Sequence, residues 1–329
     1  MSKHFMGPGN KIIVAANFDG AFERLTKDAA DIAARTGMAL RFVHAVDPVS
    51  GHTSRAVMRR IADLEPVFEA VDESRQIKAE QRLTDALGDR INPDSVAVLS
   101  GDPVNAIIAE ATVNRAPLIM VAANGSHYRF VPKGMSTALR LMSESEIPVL
   151  ISPGGSREHP APAHDLGKKR LRMLIADDLS DEGQDVVFSA IDIARALGDT
   201  DVLHVHACAL SDERIKSWID DLSPGMRDQK VAEEISVALR HNQDEALKLR
   251  APERIPLLEA RGGSYRHEVV WGDPVEQISR AADAFEADIV VFGRHRALHR
   301  KSFTVGRIPL YAMLEQKRLV MIVPPRYHG

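Results

Sequence analysis

The chain has 329 residues, 44% of them hydrophobic, and a formal net charge of −4. The length corresponds to about two domains, and the mildly acidic balance argues against a general binder of nucleic acid or of membrane surfaces. Cys208 is the only cysteine, which excludes an intrachain disulfide and a cysteine-based zinc cluster and leaves buried packing as its expected role.

Residues 1–10 lack the apolar core of a signal peptide, and no apolar run approaches the roughly 20 residues of a membrane span, so a cytoplasmic protein is expected. Residues 11–16 are a continuous apolar run, as in a strand buried on both faces. Phe22, Leu25, Ala29, Ile32 and Ala33 then recur at helical spacing, and Gly37 is the expected C-cap. A strand over 40–46, a long helix over 65–87 and a strand over 95–99 follow. Next come a helix carrying Val104, Ile107, Ile108 and Ala111, a strand over 118–122, a helix over 135–143 and a strand over 148–151. This first domain spans 1–152. Residues 153–170, with Gly, Pro and charge but no periodicity, read as a linker.

The second domain, 171–329, repeats the order. A strand over 171–176 precedes a helix through Val186, Val187, Ala190, Ile193, Ala194 and Leu197 that Gly198 stops. A strand over 201–208 precedes an enlarged segment, 209–263, containing an amphipathic helix over 231–249 whose apolar stripe suits a core face. Strands over 267–271, 288–292 and 319–323 complete the half. Gly101-Asp102-Pro103-Val104 and Gly272-Asp273-Pro274-Val275 open equivalent helices about 170 residues apart, which marks a duplicated domain rather than a solenoid repeat. Strands alternating with helices predict an α/β fold: two tandem, doubly wound, Rossmann-like domains, each with five mostly parallel strands. Ligands of such sheets bind beyond the carboxyl ends of the strands where the strand order reverses.

The loops after the first and fourth strands are therefore the candidate sites. Asn17 and Asp178 follow the first strands; each is able to accept a hydrogen bond from a nucleoside, and each is also an ordinary helix cap. After the fourth strand of the second half, Gly293-Arg294-His295-Arg296 leads through nine residues to Gly306-Arg307 and a helix. Glycines allow close backbone approach, and a helix N-terminus favours an anion. The first half has Ala122-Ala123-Asn124-Gly125, then Gly134-Met135-Ser136. Arg294, Arg296, Arg300, Lys301 and Arg307 make a dense basic loop, either solvated or anion-binding.

The element order, the Gly-x-Pro turns, the glycine loops and the closing Pro-Val-Leu-Ile strand resemble the universal stress protein family, in its tandem two-domain form. The resemblance implies an adenine nucleotide, ATP or another, on an acidic residue after the first strand and on a loop of the form Gly-x-x-Gly, nine residues, Gly-Ser/Thr. The second half keeps Asp178, Gly293 and Gly306, but Arg296 and Arg307 stand where Gly and Ser/Thr are expected. The nucleotide-binding candidates are thus Ala176, Asp178, Ala207, Gly293, His295, Arg296, Gly306 and Arg307. The degenerate counterpart in the first half is Ala15, Asn17, Ala122, Asn124, Gly125, Gly134 and Ser136. Arg296 has two open readings: occlusion of the phosphate channel, or a bidentate grip on phosphate.

The resemblance further implies an intramolecular pseudo-dimer through the two final strands, with a second-level homodimer and a protein partner for the enlarged segment left open. It implies stress-linked sensing or regulation without dedicated catalysis, and at most slow, incidental ATP hydrolysis. The alternatives are an interaction module without nucleotide, or a nucleotide-alpha hydrolase or adenylyl transferase. The pyrophosphatase branch of the latter needs a Ser-Gly-Gly-x-Asp-Ser run, which is absent. His204 with His206 and His295 with His299 lack the further ligands of a metal set, so core or capping roles are expected and no metal is assigned.

Overall fold

The computed structural model describes residues 10–18, 21–48, 65–88, 95–123, 136–154, 165–209, 217, 221, 229–296, 303–304, 306–315 and 318–325. The chain divides into two compact units, residues 1–161 and 162–329.

In the first unit, β1 (Lys11–Ala15), β2 (Ala39–Val46), β3 (Val96–Ser100), β4 (Ile119–Ala122) and β5 (Val149–Ser152) form parallel ladders in the order β3-β2-β1-β4-β5. The helices are α1 (Phe22–Thr36), α2 (Glu65–Leu87), α3 (Pro103–Val113) and α4 (Thr137–Glu144). β4 and β5 are buried along their whole length, which is why they read as unbroken apolar runs; the outer strand β3 is half-buried. Phe22, Leu25, Ala29 and Ile32 form the buried face of α1, and Gly37 ends it at φ 69°, its N–H donating to the Ala33 carbonyl.

The second unit repeats the arrangement with β6 (Leu171–Asp177), β7 (Thr200–Cys208), β8 (Ser264–Trp271), β9 (Ile289–Gly293) and β12 (Leu319–Val323), ordered β8-β7-β6-β9-β12 and all parallel. Its helices are α5 (Asp181–Leu197), α6 (Gln229–Lys248), α7 (Ile255–Glu259), α8 (Pro274–Ala284) and α9 (Arg307–Glu315). A two-stranded antiparallel ribbon, β10 (His295–Arg296) with β11 (Phe303–Thr304), leaves the end of β9.

The two Gly-Asp-Pro turns are built alike. Gly101 and Gly272 adopt φ 121° and 128°, which side-chain-bearing residues avoid. Their N–H groups close on the carbonyls of Val46 and Cys208. Asp102 and Asp273 then cap α3 and α8 from the N-cap position, and Pro103 and Pro274 take the first helical position, where a missing N–H costs nothing.

The structure departs from the sequence expectations in the second half. β8 begins at Ser264, three residues early, because β7 offers a ladder from Asp201 onward. β6 continues through Asp177, which pairs with His206. The short α7 and the β10–β11 ribbon are too brief to carry a periodic signal. The stripe of α6 is not a core face along its length: Leu247 near its end is buried, while Val237 is 66% exposed. Cys208 is buried, as expected.

Candidate functional site

At the carboxyl edge of the second sheet, between β6 and β9 where the strand order reverses, lies a cavity of about 310 Å³. Val186, Ile278, Phe292, Ile308 and Pro309 provide its apolar walls. The polar groups are Asp177, Asp178, Glu182, His206 and Arg294. Gly293 brings β9 close to α5: a Cβ there would stand 3.1 Å from Val186 Cγ2. Gly306, immediately before α9, also lines the cavity.

The loop after β6 forms the acidic wall through a set of local bonds. Asp177 Oδ1 accepts the N–H of Leu179 at 2.9 Å, and Asp178 Oδ1 accepts the N–H and hydroxyl of Ser180 at 3.0 and 2.7 Å. Ser180 in turn caps α5, its Oγ accepting the Gly183 N–H at 3.0 Å. Leu179 is held in the left-handed region at φ 61°, an uncommon state for a residue with a side chain. Gly183 leaves room for the pair: a Cβ would lie 2.6 Å from Asp177 Oδ1 and 2.7 Å from Asp178 Oδ1, so one of the carboxylates would have to shift.

Beneath the loop is a buried polar network. Arg250 donates through Nε to Asp177 Oδ2 at 2.9 Å and through Nη2 to Asp177 Oδ1 at 3.3 Å, and Nη2 also donates to the Ser180 carbonyl. His204 places Nε2 3.2 Å from Asp177 Oδ2 and Nδ1 2.7 Å from the Tyr265 hydroxyl. Burial opposes ionisation of Asp177, but the hydrogen bonds and charges of His204 and Arg250 outweigh it and hold its pKa below the usual carboxylate value. Burial drives the His204 pKa down; Asp177 opposes this, and Arg250 and His267 reinforce it. Burial, with the Asp177 charge, pushes the Tyr265 phenol up. At neutral pH the tautomer follows: neutral His204 donates Nε2–H to Asp177 and accepts the Tyr265 proton at Nδ1.

The first unit shows what this network replaces. Val14 pairs with Phe42 on β2, as Ile175 pairs with His204 on β7, so Ala16 and Phe42 stand where Asp177 and His204 stand. Phe42 is fully buried. One feature is shared: His44 Nδ1 lies 2.8 Å from the Ala16 carbonyl and His206 Nδ1 2.9 Å from that of Asp177. A carbonyl only accepts, so Nδ1 carries the proton in both, and each histidine ties the second strand to the end of the first. Phe18, following Asn17, packs on His44 at 4.6 Å between ring centroids, with the Arg82 guanidinium 4.4 Å above its ring.

Of the residues singled out from the sequence, Ala176, Asp178, Ala207, Gly293 and Gly306 all line the cavity. His295 and Arg296 lie on β10, and Arg307 begins α9; their side chains fall outside the described atoms. Ala15 and Ala122 lie in β1 and β4, Asn17 follows β1, and Ser136 caps α4 through the Leu139 N–H at 3.3 Å. Asn124, Gly125, Gly134, His299, Arg300 and Lys301 lie outside the described residues. Arg294, expected in a basic loop, is instead 2% exposed in the cavity wall, its N–H bound to the Val323 carbonyl. Asp177, Glu182, Gly183 and Arg250 were missed; the Asp177-Asp178 doublet was the one local cue. His204 takes the core role expected of it, whereas His206, expected only in a core or capping role, also lines the cavity. Among the described residues, no three His, Cys, Asp or Glu side chains are placed to hold a metal ion, and no helix is long and apolar enough to cross a membrane.

A search of curated proteins finds no match. Among solved structures, a universal stress protein from Archaeoglobus fulgidus superposes with a TM-score of 0.55 at 13% identity, covering 99% of this chain and 100% of its own. A functionally unknown protein from Pseudomonas aeruginosa superposes with a TM-score of 0.56 at 15% identity, covering 96% and 92%. Identities this low establish the shared fold. The sequence profile of the universal stress protein family matches twice, over residues 9–153 and 169–324. The chain belongs to the universal stress protein family, as a tandem of two such domains.

Proposed function

We propose that the second unit binds an adenine nucleotide and that the protein acts as a stress-linked regulatory binder without dedicated catalysis. The observation that carries this reading is the cavity itself: five of the residues that the family resemblance singled out in the sequence converge on one space at the strand-order reversal. Its volume is at the lower end of ligand sites, roughly 300–1,000 Å³, which suits a nucleoside. Acceptors at Asp178 and Glu182 suit the donors of ribose and of the adenine amino group. The phosphates lie toward Gly306 and the N-terminus of α9, away from those carboxylates. Asp177, the most buried of the three cavity carboxylates, is held by Arg250 and His204, an arrangement for shaping a wall rather than for moving a proton.

Native mass spectrometry and calorimetric titration with ATP test the reading. Retained nucleotide or saturable heat supports it; neither, at millimolar ATP, sinks it in favour of an interaction module. Exposed Val237 and Ile235 on α6 are what favour that second reading.

A further inference from the structure

Arg250 comes from outside the βα frame that the two units share. It follows α6, in the enlarged segment between β7 and β8, yet its guanidinium ends beneath the first-strand loop. The arrival is well anchored. Leu247 and Ala251 on either side are fully buried, and Gln184 of α5 donates to the Arg250 carbonyl at 3.5 Å. Arg250 itself is 8% exposed.

One guanidinium does two things there. It neutralises Asp177, whose carboxylate is fully buried behind the cavity wall while holding the Leu179 N–H, and it binds the carbonyl of Ser180, whose hydroxyl caps α5 and engages Asp178. The planar fork of arginine makes both contacts possible from one side chain. The first unit has Ala16 at the position of Asp177 and so has no carboxylate there to neutralise.

On the reading of the second unit as a nucleotide site, we infer that Arg250 is a positioning residue for the ligand, holding the wall made by Asp177, Asp178 and Ser180 and coupling the enlarged segment to affinity at the cavity. Without it, the Asp177 carboxylate is left in the wall with neutral His204 as its remaining side-chain partner. A buried carboxylate stripped of its cation either turns into the cavity or takes up a proton. The first adds negative charge beside the ligand; either one loosens the loop.

Arg250→Gln is therefore expected to weaken ATP binding by about fivefold or more, the lower end of ordinary coupling between sites. Adenosine, which carries no charge, should lose distinctly less. Adding Asp177→Asn to Arg250→Gln removes the orphaned charge and should recover part of the lost ATP affinity, the remainder reflecting the missing contact to the Ser180 carbonyl. Equal losses for ATP and adenosine, or no recovery in the double variant, overturn the inference; the double variant also serves if the single one fails to fold.

Hydrogen exchange on the ligand-free protein separates this inference from the function it rests on. Arg250→Gln should speed exchange at the Leu179, Ser180 and Gly183 amides by about tenfold or more, since a local bond worth about 1.4 kcal/mol is a factor of ten, and leave first-unit amides unchanged. If the parent protein binds no ATP while these amides respond, the nucleotide reading fails and the positioning role stands. Unchanged exchange removes the positioning role whatever the ligand.

Discussion

A carboxylate pair and a glycine set the local chemistry of the cavity. Gly183→Ala gains helix propensity of up to about 1 kcal/mol, but its Cβ would sit within 2.7 Å of both Asp177 and Asp178. Overpacking of that kind costs about 1–3 kcal/mol, so the variant is expected to lose net stability in urea unfolding and to bind nucleotide more weakly. His204 supplies a pH dependence. Its folded-state pKa is depressed, so the unfolded chain takes up a proton first, below about pH 6.5. Stability then falls with acidification, by up to about 1.4 kcal/mol per pH unit for one proton, until the folded-state pKa is reached. Asp177, also depressed, adds its loss only below about pH 4. Gln at 204 keeps a donor for Asp177 and an acceptor for Tyr265 without titrating. Comparing unfolding at pH 7.5 and 5.5, the parent should lose more stability than His204→Gln, and identical losses would discard the assignment.

The helix-opening turns are where sequence and structure agree most closely among the elements. Gly-Asp-Pro places a left-handed-capable residue, a cap and a helix-compatible proline in succession, and each acts within a few residues of itself. Gly101→Ala and Gly272→Ala should each cost about 1–3 kcal/mol from backbone strain. Gly272 should cost more, because its Cβ would meet Gln277 Nε2 at 3.0 Å while that of Gly101 meets open space; equal costs in denaturant titrations would refute the steric part. The strands were legible for the same local reason, being apolar runs of the right length. The ends of β6 and β8 were not, since a ladder continues for as long as its neighbour offers partners, and that neighbour is distant in sequence.

Across the whole chain, the duplication has become asymmetric beneath the sites as well as in the loops. The first unit carries Ala16 and Phe42 where the second carries Asp177 and His204, and its Phe18 packs on His44, the counterpart of His206, beneath Arg82. One nucleotide per chain is accordingly expected in calorimetry; a stoichiometry of two would show that the first unit also binds. The duplicated α/β architecture, the Gly-Asp-Pro turns and the candidates Asp178, Gly293 and Gly306 follow from the sequence alone, because periodicity, turn chemistry and motif spacing are local properties. Tertiary structure alone decided which groups stand behind Asp178. Asp177 meets His204 across 27 residues and Arg250 across 73. That meeting depends on the register of β6 with β7 and on where the chain returns after α6, and a lone histidine or arginine carries no sequence signal of either.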